Sequence, residues 1–355
     1  MPRPLLLAVL ALLLPATAQA APKRPLQPLQ DVAPLAPPKV PDRVVAHPTS
    51  KMKAKAAAAT ATTQHLTAAD GQQVNVVVSP TYAATPTAAQ TYVDFLDGLQ
   101  HGSELSKLTL SIVTPAEIAA ACGAQPGDGV LACYVPSTST MVVPGEQTEA
   151  DATTSYLVAH EYGHHIAANR TNYPFPAVDY GPKYWASREN VCSRVIQGRL
   201  APGNEAEYYA YNPGEAWAET YAWMKYPQST WRYTSLLKPD AEAFAAATKD
   251  VTTPWTKSTS KTFAGTIGAH TAQREFSFTL TLDGALSFQL KGAKDTDFDL
   301  RIVAGGKAQG TTNARGSSDR LTFATACVTT PEQVRVQVRR RSGAGAFSVK
   351  ATYAG

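Results

Sequence analysis

The arrangement of apolar and polar positions changes along the chain and divides it into parts. Between 66 and 250, β-branched or alternating runs mix with segments whose apolar residues recur every three or four positions, which is typical of an α+β domain. Between 262 and 355 only short alternating runs occur, separated by Gly-rich turns, and this pattern predicts a small all-β sandwich. The Thr-, Ser- and Lys-rich stretch 251–261 is expected to link the two.

Within the first domain the periodicity predicts a small sheet followed by a helical half. Strands are expected at 74–79, 107–113, 130–135 and 140–143. Helices are expected at 88–99, 115–121, 153–169, 184–197 and 212–224. Thr114, Thr153 and Asn212 stand where a side-chain oxygen can cap the first turn of a helix.

The N-terminal part of the chain differs from both domains. Residues 1–20 contain one basic residue, Arg3, an apolar run from Leu5 to Leu14 and a small-residue cleavage sequence that ends at Ala20, so we predict a secretory signal peptide. Prolines are frequent after it, and 21–65 is therefore predicted to be an extended linker or a removable pro-segment.

The four cysteines are an even number, which suits disulfide bonds in a secreted protein. Cys122 and Cys133 bracket a turn-rich stretch and are the pair that we expect to be bonded. Cys192 and Cys327 then either pair across the two domains or stay as free thiols.

Charge and hydropathy argue against two classes of partner. Basic residues are spread along a chain of formal net charge +4, and the one cluster, Arg335 with Arg339 to Arg341, is interpreted as a solvated strand edge or turn. No nucleic acid is therefore expected. Outside 1–20 no apolar run reaches the roughly 20 residues that span a bilayer, so no membrane insertion is expected.

One short motif carries chemistry. The sequence His160-Glu161-Tyr162-Gly163-His164 lies in the predicted helix 153–169, where positions i and i+4 share a face, so both imidazoles can bind one cation. Glu161 can act as the general base that takes a proton from water. The motif predicts half of a catalytic Zn²⁺ site. His165 points to a different face and is expected beside the site or at the surface.

A catalytic zinc site normally has three protein ligands, so one more ligand is expected downstream. A metzincin continuation would need Gly at 167 and His at 170, where the chain has Ala167 and Arg170, and that class is excluded. The remaining candidates are acidic residues: Asp179, Glu205, Glu207, Glu215 and Glu219.

Glu215 and Glu219 are one turn apart on the predicted helix 212–224 and face the same way. One carboxylate can bind the metal while the other accepts the N–H of a ligand histidine, and Asp179 is the fallback ligand. A second interpretation of Glu215 stays open, because Asn212 and a Glu three residues later also form a capping-box pattern. Tyrosines just before Glu215 either pack in the core or supply an O–H to a developing oxyanion, with Tyr208 favoured.

The two motifs together resemble a known enzyme class. The stretch from His160 to His165 and the later Asn212-Pro213-Gly214-Glu215-Ala216-Trp217-Ala218-Glu219 are similar to gluzincin zinc metallopeptidases, and more narrowly to actinobacterial secreted proteins with HEYGHH and NPGE motifs. The resemblance implies a zincin-like catalytic domain in which Glu215 is the third zinc ligand and Glu219 hydrogen-bonds a ligand histidine. The C-terminal region, with Asp297-Phe298-Asp299-Leu300, resembles the pre-peptidase C-terminal domain, a β-sandwich often appended to secreted peptidases.

The expected protein is a secreted, monomeric zinc metalloendopeptidase that cleaves peptide or protein substrates. The strand at 141–143 is expected to offer its edge to an extended peptide, and the sandwich to contact protein or cell wall. Two alternatives stay open: a binding or adhesion protein with a structural zinc, and a zinc amidase acting on cell-wall peptide. Glu161 separates the first alternative from an enzyme, because a structural site needs no general base.

Overall fold

The computed structural model describes residues 23–33, 62–83, 86–125, 127–147, 153–205, 207–328 and 331–355. The predicted signal peptide lies outside these ranges, as does most of 21–65. Up to residue 252 the described chain forms a unit of helices around a mixed sheet, and from residue 259 it forms a β-sandwich, each with its own apolar core. Among these residues no helix has the length and apolar character needed to cross a membrane.

A five-stranded sheet forms one layer of the first unit. Its strands are β2 (Thr62–Thr67), β3 (Gln73–Val78), β5 (Thr109–Val113), β6 (Cys133–Val135) and β7 (Thr140–Pro144). A separate parallel pair consists of β1 (Arg24–Pro25) and β4 (Tyr82–Ala83). In the sheet the order is β2-β3-β5-β7-β6, with the three central strands parallel and the two edge strands antiparallel to their neighbours. The buried residues of these strands pack against the helices.

The expectation that the strand at 141–143 offers a free edge is wrong. Met141 of β7 lies opposite Leu110 of β5 on one side and Tyr134 of β6 on the other, so both edges of β7 are paired. A short 3-10 turn over Pro136–Thr138 connects the two strands. This hairpin places β6, and not β7, at the edge of the sheet.

Helices form the rest of the first unit. They are α1 (Pro86–Asp97), α2 (Ile118–Ala121), α3 (Thr154–Ala168), α4 (Ala177–Tyr180), α5 (Lys183–Arg188), α6 (Val191–Ile196), α7 (Pro213–Lys225) and α8 (Ala241–Thr252). The single helix predicted at 184–197 is wrong, because Asn190 adopts a left-handed backbone at φ 53° and separates α5 from α6. Close packing of α3 on α7 depends on Gly163, where an added Cβ would lie 2.8 Å from the Ala218 Cα.

The C-terminal unit is the predicted sandwich. Its strands are β8 (Thr259–Ile267), β9 (Gln273–Leu280), β10 (Gly284–Gly292), β11 (Asp297–Ala304), β12 (Lys307–Thr311), β13 (Ser318–Ala326), β14 (Glu332–Ser342) and β15 (Gly345–Tyr353). Two antiparallel sheets, β13-β10-β15-β8 and β12-β11-β14-β9, enclose a core that includes Phe288, Phe298 and Val336. Because α8 ends at 252 and β8 begins at 259, the connection is shorter than the predicted linker 251–261.

The two units are joined by the connecting segment and also by a disulfide bond and buried hydrogen bonds. The Cys122–Cys133 disulfide is confirmed, and the second disulfide, Cys192–Cys327, joins α6 to the sandwich. Buried Lys183 donates from Nζ to the carbonyl oxygens of Tyr173, at 2.8 Å, and Asp283, at 2.9 Å. Burial lowers the pKa of Lys183 to about 8 and raises the pKa of Asp283 to about 7.

The described part of the N-terminal segment is packed against the first unit. Residues 23–33 were expected to be extended and poorly packed, yet Leu26 is only 3 % exposed and belongs to the main core. The proline content of this stretch indicates an extended backbone, but it does not predict that the backbone packs against the first unit.

Candidate metal centre

Two capped helices carry the predicted metal ligands. Thr153 caps α3 by accepting the N–H of Tyr156 on Oγ1, and Asn212 caps α7 by accepting the N–H of Gly214 on Oδ1. Every residue of α3 from Thr154 to Ile166 is buried, so its polar side chains need partners inside the protein.

Three of the predicted residues converge. The Nε2 atom of His160 lies 3.3 Å from one oxygen of Glu215, and the Nε2 atom of His164 lies 3.5 Å from the other. One ligand atom from each residue lies within 4.8 Å of the others, and all three side chains are 1 % exposed or less. Ligands of a tetrahedral zinc ion are about 3.3–3.5 Å apart at the usual bond lengths. The group can therefore hold a metal ion, and two imidazoles with one carboxylate suit zinc.

Opposite pKa shifts at the two histidines reflect their different neighbours. Burial lowers the pKa of both, and this effect prevails at His164. At His160, hydrogen bonds to Glu215 and Glu219 outweigh burial and raise the pKa to about 10. Burial would raise the pKa of Glu215, yet the charges and hydrogen bonds of His164 and His160 hold it well below its usual value. A cation between these groups would replace the proton that they share.

Glu219 lies at the other ring nitrogen of His160, as the resemblance implies. Its Oε2 atom is 3.3 Å from the Nδ1 atom of His160 and also accepts the O–H of Tyr156, a residue one helical turn before His160. Such a carboxylate fixes the tautomer and the orientation of a ligand imidazole.

The helix-cap interpretation of Glu215 is not what the structure shows. The Glu215 carboxylate contacts His160, His164 and the Tyr209 hydroxyl, while the N–H of Asn212 donates to the Tyr209 carbonyl at 3.0 Å.

Glu161 is completely buried beside the three converging residues. Neither of its carboxylate oxygens has a hydrogen-bond partner among the described residues. Burial raises its pKa well above the usual value, and nearby His160 and Glu215 act on it electrostatically in opposite directions. An unpaired buried carboxyl is costly, so this position favours a partner from outside the chain, such as water or a cation.

The tyrosine favoured from the sequence is not the one that reaches the cluster. Tyr208 is 49 % exposed, whereas Tyr209 donates from its hydroxyl to Glu215 Oε2 at 2.8 Å and lies 3.2 Å from the Tyr233 hydroxyl. The sequence cannot order adjacent tyrosines, because the 3-10 turn over Tyr209–Tyr211 decides which of them faces inward.

The remaining candidates lie outside the converging group. Asp179 is on the short helix α4, and burial raises its pKa. Glu205 accepts a hydrogen bond from Asn212 Nδ2 at 2.8 Å, and Glu207 is exposed. The surface position considered for His165 is wrong, because its ring is buried between the Tyr134 hydroxyl, at 3.0 Å, and the Glu104 carbonyl, at 2.8 Å.

Structural comparison with known proteins finds neighbours that each cover less than a third of the chain. No protein-family model and no curated protein matches the chain. The pre-peptidase C-terminal domain of a collagenase from Bacillus anthracis aligns at 12 % identity and TM-score 0.23, covering 26 % of this chain and 87 % of that domain. The CBM36-1 domain of a multidomain xylanase from the hindgut metagenome of Trinervitermes trinervoides aligns at 18 % identity and TM-score 0.20, covering 28 % and 98 %. The β-sandwich architecture itself rests on the strand pairing described above.

Proposed function

We propose that the chain is a secreted zinc metalloendopeptidase of the gluzincin type, with His160, His164 and Glu215 as zinc ligands. The observation that carries the proposal is Glu161, a buried carboxyl next to the three ligands with no hydrogen-bond partner in the described chain. A purely structural site would leave that carboxyl without a role. The zincin-like fold of the first unit is part of the same proposal.

Each residue has one task in this mechanism. A bound zinc ion supplies a Lewis acid that polarises the substrate carbonyl and acidifies water. Glu161 takes the proton of the attacking water and hands it to the leaving amine, a role for which a raised pKa is suited. Glu219 holds the His160 ring from its Nδ1 side. Tyr209 donates its O–H to Glu215, and rotation of this O–H toward the substrate oxygen would let it stabilise the negative charge that develops there.

Recognition of a peptide by strand pairing has no support at β6. This strand is the last one in the sheet, but its residues Cys133, Tyr134 and Val135 are each 4 % exposed or less. The hydrogen bond between Tyr134 of β6 and His165 holds the strand against the helix that carries the motif.

A binding protein with a structural metal is the second candidate. Burial of the whole site favours it, since His160, Glu161, His164 and Glu215 are each 1 % exposed or less. The two candidates differ in the requirement for Glu161 and in catalysis.

The third ligand is tested by metal content and hydrolysis in matched variants. Glu215→Ala should lower zinc stoichiometry and abolish cleavage of casein or a mixed peptide library, whereas Asp179→Ala should keep both. Chelation followed by added Zn²⁺ should remove and restore wild-type cleavage. Full zinc content in Glu215→Ala would contradict the assignment, and zinc without any cleavage in the wild type would favour the binding protein.

A further inference from the structure

Residues 23–33, here called the strap, lie along a surface formed by separate parts of the first unit. Their backbone N–H groups donate from Arg24 to the Thr81 carbonyl at 3.0 Å, and from Gln27 to the Gly145 carbonyl at 3.3 Å. Leu26 is buried, and a Cβ added at Gly145 would lie 2.8 Å from its Cδ1 atom. A side chain at position 145 would therefore collide with Leu26, and Gly145 leaves the space that the strap occupies.

The end of the strap contacts the two helices that carry the metal ligands. At the start of α3, the hydroxyls of Thr153 and Ser155 donate to the Val32 carbonyl at 2.7 and 2.9 Å. The Ser155 hydroxyl also accepts the N–H of Val32 at 3.2 Å, so donor and acceptor of Val32 are both satisfied.

The adjacent residue binds the other helix. Asp31 accepts from Lys225 Nζ at 2.6 Å and from the Tyr226 hydroxyl at 2.6 Å, at the end of α7. Both partners lower the pKa of Asp31 against the effect of partial burial, so the carboxylate is charged at neutral pH. Two neighbouring residues of the strap therefore join the start of α3 to the end of α7.

We propose that the strap is a permanent part of the mature protein, and that the surface beneath it has the N-terminal segment of this chain as its partner. Removal of the segment would take away the Val32 carbonyl that accepts from Thr153 and Ser155 at the start of α3, and it would uncover the apolar surface that buries Leu26. Predicted signal cleavage after Ala20 would leave only Ala21 and Pro22 in front of the strap. This inference does not depend on catalysis.

The full chain, secreted from an expression host, allows a direct test. N-terminal sequencing and intact mass of the folded, metal-loaded protein should give a chain that begins before Arg24. A folded and metal-loaded protein that lacks residues 23–33 in its native mass would overturn the proposal.

Substitutions in the strap affect the mature protein only if the strap is retained. Leu26→Ala should lower the Tm of the secreted protein by about 4–8 °C, and Asp31→Ala by about 1–3 °C. The matched control is Ile196→Ala, an apolar truncation at a side chain that is 74 % exposed, with an expected change below about 1 °C. Unchanged Tm in both strap variants would show that the segment is absent from, or not bound to, the mature fold.

Discussion

The Glu161→Gln substitution should lower the rate of hydrolysis while leaving the free energy of unfolding almost unchanged. The amide has nearly the shape of the carboxyl, and no hydrogen bond within the described chain is lost, because neither oxygen of Glu161 has a partner there. Burial raises the pKa of Glu161 well above its usual value, so a neutral amide is better tolerated at this position than at an exposed carboxylate. We expect the free energy of unfolding to change by less than about 1 kcal/mol.

Catalysis should respond very differently. Loss of a general base lowers the rate by about 10²- to 10⁴-fold, or about 3–5 kcal/mol in the activation free energy. Zinc content should stay close to one ion per chain, because Glu161 is not among the three converging ligands.

Peptide cleavage, zinc content and urea unfolding measured on the same preparations provide the assay. Glu104→Gln is a matched control, since Glu104 is another buried glutamate but one that pairs with Arg170 at 2.9 Å. Breaking that pair should cost about 3 kcal/mol of stability with little loss of cleavage at low temperature. Equal cleavage by Glu161→Gln and wild type, with zinc bound in both, would refute the role of Glu161.

Three further changes have expected outcomes. Glu219→Gln should weaken zinc binding by about 10- to 100-fold, measured by chelator competition, because a neutral amide replaces the charged carboxylate that accepts from His160 and Tyr156. Tyr209→Phe should lower kcat at least about tenfold with zinc retained, whereas Tyr208→Phe should match wild type. Asp283 has a folded pKa of about 7 against an ordinary 3.8, so the folded state holds this proton more tightly. Unfolding free energy should therefore fall as pH rises from about 4 to 7, by up to about 1.4 kcal/mol per pH unit, and Asp283→Asn should make this slope shallower in denaturation curves.

Local periodicity accounts for what could be predicted of the site. The spacing of His160 and His164 specifies one helix face, and the same spacing of Glu215 and Glu219 specifies another, so both pairs could be found without tertiary information. The convergence of the two faces was inferred from chemistry and from the resemblance. This convergence depends on the close approach of α3 to α7 at Gly163, which a periodic pattern does not predict.

Features that depend on chain direction or on irregular backbone were missed. A hairpin can return on either side of a strand, so the sequence did not reveal that β6 lies outside β7. Asn190 broke a helix by a single left-handed residue, and the inward turn of Tyr209 came from a short 3-10 segment. The eight-stranded sandwich was easier to predict, because alternation and Gly-rich turns recur along it.

The sandwich is attached to the helical unit at several points and not only through the connecting segment. Besides the connection at 253–258, the Cys192–Cys327 bond and the buried ammonium of Lys183 anchor it to the helical unit. If the sandwich binds part of a substrate, these links would hold the bound part at a fixed distance from the helical unit and in one orientation. A flexible linker lets a ligand bound to one domain reach the other domain in many orientations, whereas a rigid connection allows only one orientation. A substrate bound to the sandwich in any other orientation would then not reach the proposed metal site on the helical unit.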